Sequence, residues 1–403
     1  MSTSRLSILF VLTLLCLSVI PISPLFAGGG RETGQDSRTA GEAGANPEGD
    51  LAAGWEAEAS IRYAEGFSVE YHDTYKVVEV KEPWMGAEQG FRYVLYKRGT
   101  EVPGGFTEAQ KIAVPVESII TMSTTYVSYL DLLGLLDTLV GMDSFLYVFD
   151  PEVREMIDRG DIAETGGGKN VNLEIALDLD PDLIMAHAIG GDWDSHPKLL
   201  EAGFAVAMNG EYLERSPLAR FEWIKYMALF YNAEAKAEEI FDETARRYEA
   251  LADRAQQAEP KPTVLVNAPY QGVWWLPGGD TFAARFVEDA GAEYILADDE
   301  TDQTYMLDLE AVYERAGDAD VWINTGMWNT VDEALAEDER FAEFEAFREG
   351  RVFNNNARRT PNGGNDYWES GITHPHIVLA DLGKIFHPEL VPDHDLVYYR
   401  RLE

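Results

Sequence analysis

The chain has 403 residues, 46% of them hydrophobic and 11% aromatic, which is enough for two α/β domains with sizeable cores. It carries 71 acidic residues against 32 basic ones, a formal net charge of -39. Nucleic acids and anionic lipids bind through clusters of lysine and arginine, so this balance argues against both as partners. A salt-adapted, strongly hydrated surface is the simpler explanation of the acidity, and cation binding is the alternative.

The first 27 residues have the pattern of a secretory signal peptide. Arg5 supplies a positive start, residues 6–20 are almost wholly apolar, and a candidate cleavage site follows Ala27. We therefore predict an exported protein, periplasmic or membrane-tethered on the outer side of the inner membrane. The single cysteine, Cys16, lies inside the apolar run, so the mature chain would contain no disulfide. Lipidation of Cys16 and an uncleaved membrane anchor are the alternatives.

Two further segments precede the first predicted α/β domain. Residues 28–54 are rich in Gly, Ala, Glu, Ser and Asn and offer almost nothing to bury, which predicts a disordered tether. Residues 55–114 contain the β-rich runs FSVEY, YKVVEV and FRYVLYK, separated by turn residues. We predict an antiparallel, β-rich N-terminal extension with a structural role.

Strand and helix patterns alternate over residues 115–215. Strands are predicted at SIITM (118–122), TLVGM (138–142) and DLIMA (182–186), with helices over residues 126–135 and 172–180. Such alternation is typical of a parallel sheet covered by helices, so we predict an N-terminal α/β lobe here.

Residues 216–260 are predicted to form linking helices, including one long amphipathic helix from Asn232 to Ala258. Apolar residues recur in it at spacings of three and four, which leaves one continuous apolar stripe. Asn232 suits the N-cap and Pro260 would stop the helix. At about 1.5 Å per residue the helix would span roughly 40 Å, enough to connect two lobes.

The alternating pattern returns over residues 261–403, the predicted C-terminal α/β lobe. Its strands are TVLVN (263–267), YILAD (294–298), DVWIN (320–324) and RVFN, with helices over residues 281–290 and 307–316. Leu173-Glu174 precedes one strand as Leu309-Glu310 precedes its counterpart, which indicates internal duplication. The predicted fold class is α/β, with two Rossmann-like lobes joined by a single long rigid helix.

The sequence lacks the signatures of well-known catalytic sites. It contains no G-x-S-x-G, no G-x-x-x-x-G-K-[ST] and no H-E-x-x-H. Residues 166–169, GGGK, follow no strand in the order that a phosphate loop requires, which favours a cleft-lining turn. For His374 and His376, capping or packing is favoured over metal ligation. We expect no enzymatic activity, no catalytic residue, no bound metal ion and no cofactor.

Candidate ligand-binding residues lie in the loops after the predicted strands, because open α/β sheets bind ligands outside the carboxyl ends of their strands. Aromatic side chains there bury large flat areas, and arginines donate to oxyanions or carboxylates, so a large, flat or anionic ligand is expected. About half of the candidates are expected to touch ligand and the rest to pack beneath it. The candidates are Thr124, Tyr126, Phe145, Tyr147, Lys169, His187, Tyr270, Trp274, Trp275, Trp328, Arg358, Arg359 and Trp368.

The order of these pieces over residues 115–390 resembles the substrate-binding proteins of ABC importers, in particular the iron-complex (siderophore or haem) and cobalamin group with a helical backbone. The likeness rests on VESIITMSTTYVSYLDLLGLLDTLVGM, NLEIALDLDPDLIM, the long helix, GGDTFAARFVEDAGAEYIL, LDLEAVYERAGDADVWIN, and GRVFNNN followed by HPHIVLADLGKIFHPEL. The resemblance implies that a monomer binds a metal chelate between its lobes and docks on an ABC permease dimer. It also implies that Glu174 and Glu310 contact the permease.

The sequence departs from this group in ways that bear on the ligand. Residues 166–168 and His187 stand where a cobalamin-binding relative would have tryptophans, and the converging histidines of zinc- and manganese-binding relatives are missing. We therefore expect a ferric siderophore or haem, delivered to an ABC importer, with cobalamin or another corrinoid as the alternative. An exported enzyme on a similar scaffold, and a structural or sensory protein without an importer, are more remote alternatives.

Overall fold

The structure is a computed structural model, and it describes residues 55–403. The predicted signal peptide and tether, residues 1–27 and 28–54, lie outside the described residues, so the cleavage site and the fate of Cys16 stay predictions. Within residues 55–403, no helix combines the length and the apolar character that a membrane span needs.

Residues 55–114 contribute a four-stranded sheet in the order β1-β2-β3-β4. Its strands are β1 (Phe67–Tyr71), β2 (Tyr75–Val80), β3 (Phe91–Lys97) and β4 (Gln110–Val114). The pairs β1-β2 and β2-β3 are antiparallel, as predicted, but β4 runs parallel to β3. The prediction of a purely antiparallel extension is wrong at this strand, because the connection over residues 98–109 is long enough for a parallel crossover.

The N-terminal parallel sheet has five strands in the order β7-β6-β5-β8-β9. In chain order its region contains β5 (Ile119–Thr121), α1 (Thr124–Leu133), β6 (Leu139–Met142), α2 (Pro151–Arg159), β7 (Ala163–Glu164), α3 (Leu173–Leu179), β8 (Leu183–Ala186), α4 (His196–Glu201) and β9 (Val206–Met208). Strands β5 and β8 are buried along their whole length, as expected for a sheet covered on both faces. The sheet grows from β5 first toward β6 and then toward β8, which makes a topological switch point at β5.

Two linking helices follow, α5 (Pro217–Leu229) and α6 (Glu234–Ala255). Helix α5 is buried almost all round, whereas α6 buries one apolar stripe and exposes a charged face. The predicted start at Asn232 is wrong, because Asn232 has a left-handed backbone (φ 54) and its side chain accepts a hydrogen bond from Lys76 Nζ at 3.0 Å. The 22 residues of α6 span about 33 Å, less than predicted.

Residues 261–403 contain a parallel sheet β13-β10-β15, an antiparallel sheet β11-β12-β14 and the antiparallel pair β16-β17. The elements are β10 (Thr263–Val266), β11 (Pro269–Tyr270), β12 (Val273–Pro277), α7 (Phe282–Asp289), β13 (Glu293–Tyr294), β14 (Thr304–Leu307), α8 (Leu309–Ala316), β15 (Val321–Ile323), α9 (Val331–Glu337), α10 (Glu345–Arg348), β16 (Phe353–Asn354), α11 (Ser370–Thr373), α12 (Pro375–Phe386) and β17 (Arg400–Arg401). The strand predicted over residues 294–298 is wrong for most of its length, because the chain turns after Tyr294. This C-terminal parallel sheet has three strands against five in the N-terminal one.

Short 3-10 turns complete the described secondary structure. They cover Leu136–Thr138, Gly168–Asn170, Glu211–Leu213, Glu339–Glu343 and Asp366–Trp368. Side chains cap the N-termini of α1 and α2: Ser123 accepts a hydrogen bond from the Thr125 N–H at 3.3 Å, and Asp150 accepts one from the Val153 N–H at 2.9 Å. These caps fix where the loops after β5 and β6 end.

The segment before β1 is fixed to the linking helices by buried carboxylates. Glu222 on α5 accepts hydrogen bonds from the backbone N–H groups of residues 62–64 at 2.6–3.0 Å and pairs with Lys225 at 3.0 Å. Both side chains are fully buried. Removing the partners of a buried carboxylate destabilises a folded protein strongly. Because residues 62–64 supply partners of Glu222, the N-terminal extension is an integral part of the described fold.

Candidate functional site

A row of polar residues ends or follows the strands of the N-terminal parallel sheet at their carboxyl ends. In sheet order, from β7 to β9, the row consists of Thr165, Asp143, Thr121, His187 and Asn209. We call this the N-terminal edge. Thr121 Oγ1 and His187 Nδ1 are buried there and have no hydrogen-bond partner among the described residues. Buried polar atoms are nearly always paired in proteins, so unpaired ones at a strand edge suggest that a ligand group completes them.

Asp143 is the acidic group of this edge. Burial raises the pKa of Asp143 to about 6, against the opposing effect of His187. A Cβ atom on Gly167 would lie 3.2 Å from Asp143 Cβ, so the backbone of the glycine run packs directly against this carboxyl group. Residues 166–168 thus form a turn that leads into a 3-10 turn, Gly168–Asn170, and not into the α-helix of a phosphate loop.

The loop after β8 carries an exposed tryptophan, Trp193, that the sequence analysis did not select. Its side chain is 52% exposed, and Lys169 Nζ lies 4.6 Å from the centre of its ring. Asp194 fixes the loop by accepting hydrogen bonds from the N–H groups of residues 189–191 at 2.9–3.1 Å. Its position in the sequence could have identified it, because Trp193 follows a predicted strand, as the selected aromatic residues do.

Two selected tryptophans of the C-terminal region belong to the core. Trp274 is fully buried, stacks on Trp322 with ring centroids 5.1 Å apart, and donates to the Val266 carbonyl at 3.1 Å. Trp328 is also buried and donates to the Glu337 carboxylate at 2.8 Å. Both rings are enclosed by protein in this structure, and ligand contact for them stays a prediction.

Tyr126, a candidate in the N-terminal region, is also a core residue. It is buried on α1, and its hydroxyl lies 3.4 Å from the Asn209 carbonyl. Ligand contact for Tyr126 likewise stays a prediction, although its side chain is enclosed by protein in this structure. A side chain on the first turn of a helix can point into the sheet as easily as out of it, and the sequence pattern does not distinguish the two.

The other candidates are at least partly accessible. Tyr270 and Trp368 are exposed on the C-terminal side, at 49% and 48%. Lys169 and Arg358 are exposed as well. The half-buried candidates are Thr124, Phe145, Tyr147, His187, Trp275 and Arg359. The Trp275 carbonyl accepts a hydrogen bond from Asn267 Nδ2 at 2.9 Å, which ties its strand to the end of β10.

Residues 145–150 and residues 358–370 meet and form what we call the junction. Glu369 accepts hydrogen bonds from the N–H groups of Phe149 and Asp150 at 2.8 and 2.6 Å. The Arg358 guanidinium lies 4.8 Å from the centre of the Phe149 ring and donates to Asp366 at 2.5 Å. The junction thus brings together two segments that contain candidate residues and lie more than 200 positions apart in the sequence.

The junction continues toward the start of α1. Thr125 Oγ1 donates to the Trp368 carbonyl at 3.0 Å, and Gly364 packs against the Tyr147 carbonyl. Burial raises the pKa of Glu369 to about 8, although its two N–H donors act in the opposite direction. A buried carboxyl group therefore sits where the two regions touch.

Several exposed apolar side chains follow strand ends or belong to the junction. Leu146 and Trp193 follow β6 and β8, while Tyr270 and Met327 follow β10 and β15, and Trp368 lies beside α1. Their exposed fractions run from 44% to 58%. Exposed apolar side chains of this kind are candidates for ligand contact.

The structure also contains a groove that lies away from the candidate residues. The groove, of about 500 Å³, runs beside the edge strand β13 and is lined by Ile295, Leu296, Asp298, Asp299, Glu300, Tyr305 and Arg315. None of the selected candidates lines it. Among residues 55–403, no group of three His, Cys, Asp or Glu side chains is placed to hold a metal ion.

Residues 119–358 match a family model described as periplasmic binding protein. This match covers more than half of the 403 residues, so the chain belongs to the periplasmic binding protein family. Two relatives from Methanocaldococcus jannaschii, both named uncharacterized lipoproteins, extend over most of the chain. One is 29% identical and covers 85% of this chain and 87% of the relative, and the other is 25% identical and covers 82% of each.

Solved structures share the fold at low sequence identity. A periplasmic binding protein from Veillonella parvula has a TM-score of 0.56 at 18% identity, with 82% of this chain and 98% of that chain covered. A periplasmic haem-binding protein from Pseudomonas aeruginosa has a TM-score of 0.53 at 18% identity, with 72% and 98% covered. A chain of an ABC-type Fe3+-hydroxamate transport system from Saccharomonospora viridis has a TM-score of 0.51 at 18% identity, with 68% and 94% covered.

Proposed function

We propose that the protein is the exported solute-binding component of an ABC importer and that it captures an iron(III) complex, a ferric siderophore or haem. The ligand would bind between two α/β lobes, the regions of the N-terminal and C-terminal parallel sheets, which α6 joins. Family membership supports the transport class. The names of the haem-binding and hydroxamate-transport neighbours make an iron complex the first ligand class to test.

Two observations carry the proposal: exposed aromatic side chains near the strand ends and the junction, and unpaired polar atoms at the N-terminal edge. Trp193, Tyr270 and Trp368 expose flat apolar surface, while Thr121 Oγ1 and His187 Nδ1 have no hydrogen-bond partner among the described residues. Chelates of iron combine conjugated or apolar surface with polar groups, so such a site complements them. The three aromatic side chains would supply contact area and the polar atoms would fix orientation.

Lobe closure would be small in this arrangement. Helix α6 packs along its length, and the junction already joins the two regions through Glu369 and Arg358. A binding protein held in this way would gain affinity from preorganisation rather than from a large hinge motion. No bond in the ligand would be made or broken.

The first experiment is titration of the mature protein with haemin, a ferric tris-catecholate, a ferric hydroxamate and cyanocobalamin. Nine tryptophans, two of them exposed at the edges and junction, make quenching of tryptophan fluorescence a sensitive signal after correction for absorption. Saturable sub-micromolar quenching by one iron complex is expected. Saturation by cyanocobalamin alone would replace the iron complex with a corrinoid, and saturation by none of the four would overturn the ligand class.

Permease docking would use Glu174 and Glu310, each in the first turn of a helix, α3 and α8. Both side chains are exposed, and Glu310 is already paired with Arg340 at 2.6 Å, an exposed pair that a partner arginine can exchange. Replacing both glutamates with alanine should abolish ligand uptake by cells while leaving the affinity for ligand unchanged. The control is the double substitution of the exposed Glu155 and Glu314, and uptake that survives the first pair of substitutions would sink the docking assignment.

A further inference from the structure

The loop of residues 187–195 combines exposure with firm support. Trp193 presents half of its surface to solvent, yet the backbone around it is held by Asp194 and by the Tyr212 hydroxyl, which donates to the Ala188 carbonyl at 2.6 Å. On another side, a Cβ atom on Gly168 would come within 2.9 Å of the Trp193 carbonyl oxygen. The loop therefore has little freedom to move although its tryptophan is uncovered.

A residue of the N-terminal extension provides a further support. Trp84, between β2 and β3, lies so close to Gly190 that a Cβ atom there would be 2.5 Å from Trp84 Cδ1. Gly190 has a positive φ of 79, and only glycine combines that backbone conformation with such a close contact at low cost. Trp84 also packs against the buried His196 at the start of α4, with ring centroids 5.3 Å apart. The extension thus contacts the loop at Gly190 and the start of the helix that follows it, α4.

A cation accompanies the exposed indole. Lys169 Nζ lies 4.6 Å from the Trp193 ring centre, and the Lys169 carbonyl accepts a hydrogen bond from Lys198 Nζ at 2.8 Å. A chain with a net charge of -39 thus places the ammonium group of Lys169 beside an exposed aromatic ring, and a second lysine, Lys198, bonds the Lys169 backbone. The combination suits a ligand that has a conjugated face and a negative charge.

We infer that Trp193 stacks on the ligand of the proposed function, that Lys169 pairs with an anionic group of that ligand, and that Trp84 is a positioning residue for Trp193. This inference rests on the proposed function and narrows its ligand class to an anionic iron complex with aromatic rings, such as a tris-catecholate or haem. Aliphatic hydroxamates lack the conjugated face and would gain little from Trp193.

The test compares affinities by isothermal titration calorimetry, so that loss of a tryptophan does not alter the signal. The probes are haemin, a ferric tris-catecholate and a ferric hydroxamate. Trp193→Ala should weaken binding of at least one of the two aromatic complexes about tenfold, and Trp193→Phe should recover most of the loss. The hydroxamate should be affected less than about threefold. The matched control is Leu177→Ala, which removes an equally exposed apolar side chain from α3 and should change nothing.

The role of Trp84 has a readout that needs no ligand. In Trp84→Ala, the backbone amides of residues 187–195 should exchange hydrogen faster than in the unchanged protein, while those of α6 keep their protection. Trp84→Ala should also weaken ligand binding, and should add almost nothing to the loss in a Trp193→Ala background, because it acts through Trp193. If Trp84→Ala does not fold, Trp84→Phe replaces it. Additive losses in the double variant, or unchanged exchange in the loop, would overturn the positioning role.

Failure of this inference is distinguishable from failure of the proposed function. If none of the three probes binds the unchanged protein, both are overturned. If an aromatic complex binds and Trp193→Ala does not change its affinity, only the inference is overturned. A Trp193→Ala variant that keeps its affinity but loses cellular uptake would move Trp193 to the permease surface and would overturn the stacking role as well.

Discussion

The regions that contain the two parallel sheets differ in how they place particular tryptophans. In the C-terminal region, Trp322 stacks on Trp274 and meets Trp328 edge to face at 5.5 Å, and all three rings are buried. In the N-terminal region, Trp193 is exposed on a loop that the hydrogen bonds of Asp194 hold in place. These three C-terminal tryptophans thus fill a core, whereas the tryptophan in the loop after β8 remains available for contact.

The cores beside the two sheets differ in composition. One core of the five-stranded N-terminal sheet is an aliphatic cluster that contains Ile120, Ile184 and Met208. Beside the three-stranded C-terminal sheet, the tryptophans pack together with Phe341 and Phe344. Each aromatic ring buries on the order of 150–250 Å², so a few of them replace many aliphatic contacts. An aromatic residue in or near a strand therefore does not by itself indicate a ligand, because it can equally fill the core.

The largest effect is expected from truncating the C-terminal cluster. Trp274→Ala should lower the free energy of unfolding by about 3–5 kcal/mol, because it leaves a cavity and an unpaired Val266 carbonyl. Trp193→Ala should change it by less than about 0.5 kcal/mol, because an exposed ring contributes little packing. Urea unfolding followed by circular dichroism measures both. Equal effects of the two substitutions would remove the distinction between the two regions.

The next largest effect concerns the junction, where the two regions meet. The pKa of Glu369 is raised from 4.5 to about 8, chiefly by burial, with Asp366 and Asp150 adding to the shift. Since the unfolded chain loses this proton near 4.5 and the folded chain keeps it to about 8, the protonated carboxyl stabilises the fold fully at low pH. This contribution is lost as the pH rises through that window.

Glu369→Gln should remove that pH dependence. Between pH 5 and pH 8, the stability of the unchanged protein should fall relative to the variant by on the order of a few kcal/mol. Chemical unfolding at a series of pH values gives the free energy of unfolding of each protein as a function of pH. Subtracting one profile from the other cancels the titration of groups that both proteins share. Glu314→Gln, at an exposed site on α8, is the control. Parallel profiles for Glu369→Gln and the unchanged protein would show that Glu369 is ionised at the junction throughout.

Much of the fold could be predicted because buried parallel strands form short apolar runs. SIITM, TLVGM, DLIMA, TVLVN and DVWIN all contain observed strands, and the helices between them are confirmed. The errors lie where distant residues decide the local structure. Asn232 has helix-capping chemistry, but Lys76, far away in the sequence, binds its side chain and the helix starts after it. The antiparallel sheet of β11, β12 and β14 consists of short strands without a clear alternating pattern, and no strand was predicted there.

The candidate site could be predicted less well, for a related reason. The pair Trp274-Trp275 must place its two rings on opposite faces of β12, but the sequence does not say which face is the core. That choice depends on Trp322, which arrives from another strand. Trp193 was missed although it follows a predicted strand, because its exposure depends on Asp194 and on Trp84 from the extension. Partner residues decide whether an aromatic ring is core or contact surface.

The smallest effect separates two threonines of the N-terminal edge. Thr165 Oγ1 is buried and donates to the Met142 carbonyl at 2.9 Å, whereas the equally buried Thr121 Oγ1 has no partner among the described residues. Thr165→Val should therefore cost about 1 kcal/mol of stability, and Thr121→Val should be neutral within about 0.5 kcal/mol, since valine has the same shape without the unpaired hydroxyl. Thr325→Val, at the end of β15, makes the same comparison in the C-terminal region, where the hydroxyl is also buried and unpaired. Suppose that Thr121→Val leaves stability unchanged but weakens ligand binding, while Thr325→Val changes neither. The hydroxyl of Thr121 would then contact the ligand, and that of Thr325 would not. A clear loss of stability in Thr121→Val would instead show that its hydroxyl is satisfied within the folded chain.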